Sequence, residues 1–198
     1  MKQYSQACEE NRDPILAVIR EIFADAHNIL EIGSGTGQHA VYFARHLPHL
    51  TWQPADLPEN NASIQAWREE SGLENVLPPI ELDVTTNAWP DGVYDGLFSA
   101  NTTHIMSLSE VQNMFSGIGN LLQTGALCCL YGPFNYYGAF TSDSNKQFDN
   151  WLKSRDPASG IRDFEVIAEL ADANGFVLMD DIEMPVNNRL LVWKKDRE

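Results

Sequence analysis

Ile29-Leu30-Glu31-Ile32-Gly33-Ser34-Gly35-Thr36-Gly37-Gln38 sets a short apolar run directly against three glycines in five residues. Ala40, Val41, Phe43, Ala44 and Leu47 then recur at helical spacing as far as Pro48, so the stretch reads as strand, glycine turn and helix. Further along, Leu50 to Asp56 is strand-like, Asn60 to Ser71 is helical and closed by Gly72, and Leu77 to Asp83 and Tyr94 to Ala100 are strand-like again. Ser107 and Glu110 match a capping box, followed by the stripe Val111, Met114, Phe115, Ile118, Leu121 and Leu122, with Gly125 beyond the helix end. Ala126 to Tyr131 predicts a fifth strand and Asp163 to Asn174 a helix stopped by Gly175. Phe176 to Met184 and Arg189 to Lys194 follow with no helix between them, which predicts a hairpin. On the amino-terminal side, Asp13-Pro14 reads as N-cap and first helical position, ahead of Ile15, Leu16, Ile19, Ile22 and Phe23 on one face. The whole pattern implies a Rossmann-like α/β fold: a seven-stranded, mostly parallel sheet with helices on both faces and a C-terminal antiparallel hairpin. In such a sheet ligands bind beyond the carboxyl ends of the strands.

The rest of the 198 residues adds no repeat and no linker, so a single domain over 1–198 is expected. The formal net charge is −15, whose field repels phosphate backbones and anionic membrane surfaces, so neither nucleic acid nor membrane is an expected partner. Three cysteines, of which Cys128 and Cys129 are adjacent and face opposite sides of a strand, do not form a disulfide framework. With no apolar stretch near Met1 and none of membrane-spanning length, the chain is expected in the cytoplasm. No metal site is expected, and the oligomeric state is left open.

The glycine turn limits what can bind there. A dinucleotide fingerprint would need glycines at 33, 35 and 38, and position 38 is Gln; a phosphate loop would need Lys and Ser or Thr after Gly37, where Gln38-His39 stands. Glu31, two residues before Gly33, suits a cation better than a pyrophosphate. S-adenosylmethionine carries a sulfonium, an ammonium and no phosphate. Glu31-Ile-Gly-Ser-Gly-Thr-Gly37 resembles the first motif of class I S-adenosylmethionine-dependent methyltransferases, whose fold is the one inferred above. The resemblance implies cofactor binding by Glu31, Gly33, Ser34, Gly35 and Gly37, by Asp56 at the end of the second strand (ribose), by Asp83 after the third (adenine) and by Asn101 after the fourth. Against this stand plainer readings: Asp56 and Asp83 as caps of turns, Glu31 paired with a basic residue, the glycines as a packing turn.

The chain also resembles, over nearly its whole length, a small family of uncharacterised methyltransferase-like proteins of bacteria and eukaryotes. The likeness rests on Asn11-Arg-Asp-Pro-Ile-Leu16, Gly33-Ser-Gly-Thr-Gly-Gln-His-Ala40, Trp52-Gln-Pro-Ala-Asp56, His104-Ile105, Tyr131-Gly-Pro-Phe134, Ser144-Asn145, Phe148-Asp149, Gly160-Ile-Arg-Asp163 and Pro185-Val-Asn-Asn188. Ala55 and Val186 depart from its pattern, as does Asn101-Thr-Thr103. Membership implies the fold and the cofactor and no substrate; because little chain remains for a protein- or nucleic-acid-recognition domain, methyl transfer to a small-molecule acceptor is expected, and the alternatives are a cofactor-binding regulatory or interaction protein without turnover and a nicotinamide-dependent oxidoreductase. Residues 131–160, long and aromatic, are expected to form a lid or acceptor pocket. His104 and Tyr131 are the candidate base or orienting groups, with a purely structural histidine as the alternative; Arg162 is read as an anion anchor or an ion-pair partner, and Asn187-Asn188 as site or turn.

Overall fold

The computed structural model describes residues 1–86 and 88–197; of the expected unit over 1–198, positions 87 and 198 lie outside the described residues. In chain order the elements are α1 (Gln6–Ile22), β1 (Asn28–Ile32), α2 (Gln38–His46), β2 (Thr51–Asp56), α3 (Pro58–Ser71), β3 (Ile80–Glu81), β4 (Gly96–Ala100), α4 (Leu108–Leu121), β5 (Leu127–Gly132), β6 (Phe134–Asn135), α5 (Asp143–Arg155), β7 (Arg162–Asp163), α6 (Phe164–Ala173), β8 (Phe176–Met184) and β9 (Asn188–Lys195). One seven-stranded sheet has the order β3-β2-β1-β4-β5-β9-β8. Its first five strands are parallel, and β9 runs antiparallel to both β5 and β8, as the alternation of elements and the terminal hairpin require. The short β6 and β7 pair in parallel outside it.

Strand period two divides the core into two faces. Along β5, Cys128 and Leu130 join Val111, Met114, Phe115 and Ile118 of α4 and Ile167 and Ala171 of α6. Cys129 and Tyr131 turn to the other face, with Ile15, Leu16 and Ile19 of α1 and Ala40, Phe43 and Ala44 of α2. The capping box on α4 forms as expected, with the Glu110 amide donating to Ser107 Oγ and the Ser107 amide to Glu110 Oε2.

Three boundaries differ from the expectation, each for a physical reason. First, α1 starts eight residues before Pro14, capped by Ser5, whose hydroxyl accepts from the Cys8 amide at 3.4 Å. Pro14 lies inside the helix, where its missing amide leaves the Glu10 carbonyl without a helical partner; Glu10 is exposed, so water can satisfy it. Second, the strand expected over Leu77 to Asp83 shrinks to Ile80–Glu81 because Pro78 and Pro79 cannot donate to the ladder, which leaves β3 as a short edge. Third, the segment 131–160 contains β6 and the four-turn helix α5, which Ser142 caps by accepting from the Asn145 amide at 3.1 Å. Helix α5 buries Asn145 and Asp149 as well as Leu152, so hydrophobic periodicity does not announce it.

Candidate active site

The ends of β1, β2, β4 and β5 converge on the glycine turn. Gly33 has φ +74°, and a Cβ on it would lie 2.6 Å from Thr102 Oγ1, so both conformation and close approach of the segment after β4 require glycine there. Gly35 also has positive φ, but nothing lies within 4 Å of where its Cβ would be, which leaves open space over the turn for a ligand to lie against the backbone. The turn is tied to β2: the Gly33 and Ser34 amides donate to the Ala55 carbonyl at 2.9 and 3.2 Å.

Glu31 shares the α1 face of the sheet with Ile29, an acidic side chain in a row of core residues, and is 1 % exposed. Its Oε2 accepts from Ser34 Oγ at 2.9 Å and from Trp52 Nε1 at 3.0 Å. Burial pushes its carboxyl up to about 7, against the lowering effect of those two donors, and Asp56 nearby adds to the rise. A hydroxyl and an indole hold Glu31, in place of the basic partner of the plainer reading. Sequence reasoning misses Trp52, although it opens one of the family's motif stretches, and reads Ser34 as a cofactor contact rather than as a partner of Glu31.

Asp56, buried at the end of β2, accepts from the Gly35 amide at 2.6 Å through Oδ2, and from the Leu57 amide and Asn60 Nδ2 at 2.7 and 2.8 Å through Oδ1. It therefore couples the glycine turn to the start of α3 and keeps lone pairs at the turn's open side. Asp83 follows β3, where Oδ1 accepts from both the amide and the hydroxyl of Thr85; these bonds hold its carboxyl below the usual range. Asn101 directly follows β4 with φ +58°, its amide donating to the Tyr131 carbonyl at 2.8 Å.

A Cβ on Gly132 would stand 3.7 Å from both Asn101 Oδ1 and His104 Nδ1, which brings those two side chains to one place at the ends of β4 and β5. His104 is 3 % exposed, its ring meets Phe148 of α5 edge-on at 5.2 Å, and its Nδ1 is buried with no hydrogen-bond partner. Burial first, and the Arg162 guanidinium second, hold it down to about 4, so it is neutral at physiological pH. Arg162 binds backbone: Nε donates to the Thr103 carbonyl at 3.1 Å, and its terminal nitrogen to the carbonyls of Met106 and Ala158. It holds the His104 loop in place, and the ion pair read from the sequence does not form among the described residues.

Tyr131 faces the α1 side of the sheet. Burial pushes its phenol up to about 12, with the Asn11 and Asn188 side chains against its hydroxyl. Asn11 Oδ1 in turn meets His39 Nε2 at 2.7 Å, and burial holds His39, like His104, down to about 4. The chain His39, Asn11, Tyr131, Asn188 joins α2, α1, β5 and β9 beneath the first helix. All four residues sit in the motif stretches, but hydrophobic patterning gives no signal for them. Of Asn187-Asn188, Asn187 belongs to the hairpin turn and Asn188 reaches Tyr131. The aromatics of segment 131–160 divide: Phe134 is fully buried in the core, Tyr136 stacks on Phe164 and donates to Asp181 Oδ2 at 2.7 Å, Tyr137 is exposed, and Phe148 of α5 is the ring beside His104. A separate concavity of about 390 Å³ lies between Val84 to Thr86, Trp89 and the outer side of α4. Among the described residues no group of three or more His, Cys, Asp or Glu side chains is placed to hold a metal ion, and no helix is long and apolar enough to cross a membrane.

The sheet order, the glycine turn after β1 and the acidic ends of the following strands define a class I methyltransferase fold. Residues 2–195 match the family described as protein of unknown function (DUF938), and the chain belongs to it. Among solved structures it is similar to an O-methyltransferase family protein from Burkholderia thailandensis (16% identity, TM-score 0.83, covering 93% of this chain and 56% of that one). It is likewise similar to the S-adenosylmethionine-dependent methyltransferase SibL in its apo form (20%, 0.82, 96% and 56%). A third likeness is to human N-acetylserotonin methyltransferase in complex with S-adenosylmethionine (13%, 0.79, 97% and 53%). The chain spans just over half the length of these structures.

Proposed function

We propose that the protein is an S-adenosylmethionine-dependent methyltransferase acting on a small-molecule acceptor in the cytoplasm. The observation that carries this reading is the Glu31 carboxyl: a buried acidic group beside an open glycine turn, held by two donors and no basic residue and pushed up to about 7 by burial, is a site that a cation relieves and a pyrophosphate aggravates. Glu31 would hold an ammonium, Asp56 the ribose hydroxyls, Asp83 the adenine edge, and Asn101 the methionine end or the acceptor. When bound, S-adenosylmethionine supplies an electrophilic methyl group on a sulfonium. The protein's own part is then positioning and water exclusion. His104, neutral and poorly basic, and Tyr131, a phenol that stays protonated, suit orientation of a neutral nucleophile better than deprotonation of a weakly acidic one. Free thiols at Cys8, Cys128 and Cys129 fit a reducing compartment.

The same weakness of both candidate bases favours, as second reading, a cofactor-binding protein without turnover. Thermal unfolding with S-adenosylmethionine, S-adenosylhomocysteine or NAD at a hundredfold excess over the dissociation constant tests the cofactor, the first two adding about 2.7 kcal/mol of stability. A shift with NAD alone would replace the reading with a nicotinamide-dependent oxidoreductase. Transfer of labelled methyl groups into a metabolite extract separates turnover from binding.

A further inference from the structure

Helix α1 is two structures joined at Pro14. Its second half is anchored in the core by Ile15, Leu16, Ile19 and the following Phe23, all buried. Its first half and the residues before it bury only Asn11 and are held by polar contacts. Lys2 pairs with Glu70 at 2.7 Å and lies over the Trp67 ring. The Gln3 amide donates to Ser63 Oγ at 2.8 Å, and Trp67 Nε1 donates to the Gln3 carbonyl at 2.8 Å. Gln38, the first residue of α2, grips Ser5 at both ends: its Oε1 accepts from the Ser5 amide at 2.5 Å and its Nε2 donates to the Ser5 carbonyl at 3.3 Å. Thr36 Oγ1 donates to the same Oε1, and Ser63 Oγ to the Thr36 carbonyl, so the arm is fastened directly to the glycine turn.

Cys8 and Asn11, three residues apart, share one helix face. The Cys8 thiol lies against the hydroxyls of Ser5 and Thr36 and near the Glu31 carboxylate, and Asn11 lies against His39 and Tyr131. We propose that residues 2–13 form the outer wall of the ligand site, with Cys8 and Asn11 facing the bound molecule, and that this arm opens about Pro14 to admit it. The inference rests on the cofactor reading above. Pro14 removes one rung of the helical ladder at the junction, and the fastenings outside it are polar rather than apolar: a partly exposed ion pair, part-buried hydrogen bonds to Ser63 and Gln38, and the buried Asn11–His39 bond, all of which part when the arm opens. Opening there leaves the apolar half in place, as low-stability segments at ligand sites do. Toward Glu31 and Tyr131 the wall presents the Ser5 hydroxyl, the Cys8 thiol and the Asn11 amide, uncharged groups that fit the amino-acid end of a sulfonium cofactor with Glu31 as its cation partner.

Cys8 is also a reporter, since Cys128 and Cys129 are fully buried. Alkylation of the full chain by iodoacetamide at pH 8.5, read by mass spectrometry, is expected to modify Cys8 alone without denaturant. S-adenosylhomocysteine at saturation is expected to slow it at least about tenfold, equivalent to about 1.4 kcal/mol of added closing free energy. In ligand-free protein P14A, which restores the missing rung, is expected to slow the labelling, and Q38A, which releases Ser5, to speed it. Calorimetric binding of S-adenosylhomocysteine with an unchanged labelling rate overturns the wall while leaving the cofactor reading intact. No calorimetric binding overturns that reading and the wall's ligand with it. Unchanged rates in both variants overturn the hinge.

Discussion

Glu31 is placed where its protonation reports on what sits beside it. Its folded value, about 7, lies above the ordinary 4.5, so the folded chain binds more protons than the unfolded chain between those values, and this group's contribution to stability falls as pH rises through that window. His39 and His104, held down to about 4 from 6.5, act oppositely: their contribution is present above 6.5 and lost as pH falls towards 4. At acidic pH the two histidines oppose the one carboxylate, so the summed contribution of these three groups rises with pH, and towards neutral pH the carboxylate's opposite slope is what remains of it. A cationic group bound at Glu31 stabilises its charged form, so binding at pH 6.5 should release a proton. Calorimetric titration of S-adenosylmethionine in buffers of different ionisation enthalpy should show this release, and E31Q should abolish it. Equal proton release in E31Q would move the cation away from Glu31. Ser34 and Trp52 also donate to this carboxylate, and the sequence marks Ser34 but not Trp52, because nothing in spacing pairs β1 with an indole on β2.

At the scale of elements, the hairpin carries a local strain that substitution can measure. Pro185, Val186 and Asn187 connect β8 to β9, and Val186 and Asn187 have φ +61° and +57°, the positive φ pair of a type I′ turn, where a β-branched residue is disfavoured. Val186 is 80% exposed, so its side chain gains little from packing. V186N should raise stability by about 1 kcal/mol, or the unfolding midpoint by roughly 2–4 °C, in thermal denaturation; no change would mean that the tip's contacts with α5, through Asn187 and the Asn145 and Ser144 side chains, already offset the strain. The hairpin itself was legible because two apolar runs meet without a helix between them, and the glycine turn and the capping box were legible because each fixes several residue types at fixed offsets. The first half of α1 was hidden for the opposite reason: Asp13-Pro14 imitates a helix start, and the residues before it face a polar site rather than the core. Helix α5 was hidden by its buried Asn145 and Asp149, and the Asn11 to Asn188 chain because it is polar and assembled from four distant elements.

For the whole molecule, the net charge of −15 acts on any ligand approaching the strand ends, where Glu31, Asp56 and Asp83 are gathered. Such a field attracts a net cation, leaves a neutral molecule indifferent and repels an anion. S-adenosylmethionine carries one net positive charge, S-adenosylhomocysteine none, and NAD a net negative charge. The two sulfur compounds share every contact except the sulfonium methyl, so the difference between them isolates the field from the fit. Raising ionic strength from 0.01 to 0.1 M shortens the screening length from about 30 to about 10 Å, which removes most of the contribution from charges on the far side of the sheet and retains that of Glu31. Affinity for S-adenosylmethionine should therefore fall on the order of threefold over this range while that for S-adenosylhomocysteine holds steady. Calorimetric titrations at the two salt concentrations measure both. Parallel behaviour of the two ligands would mean that the carboxylates at the strand ends are locally neutralised, and an affinity for NAD that rises with salt would mark the turn as an anion site that the field opposes.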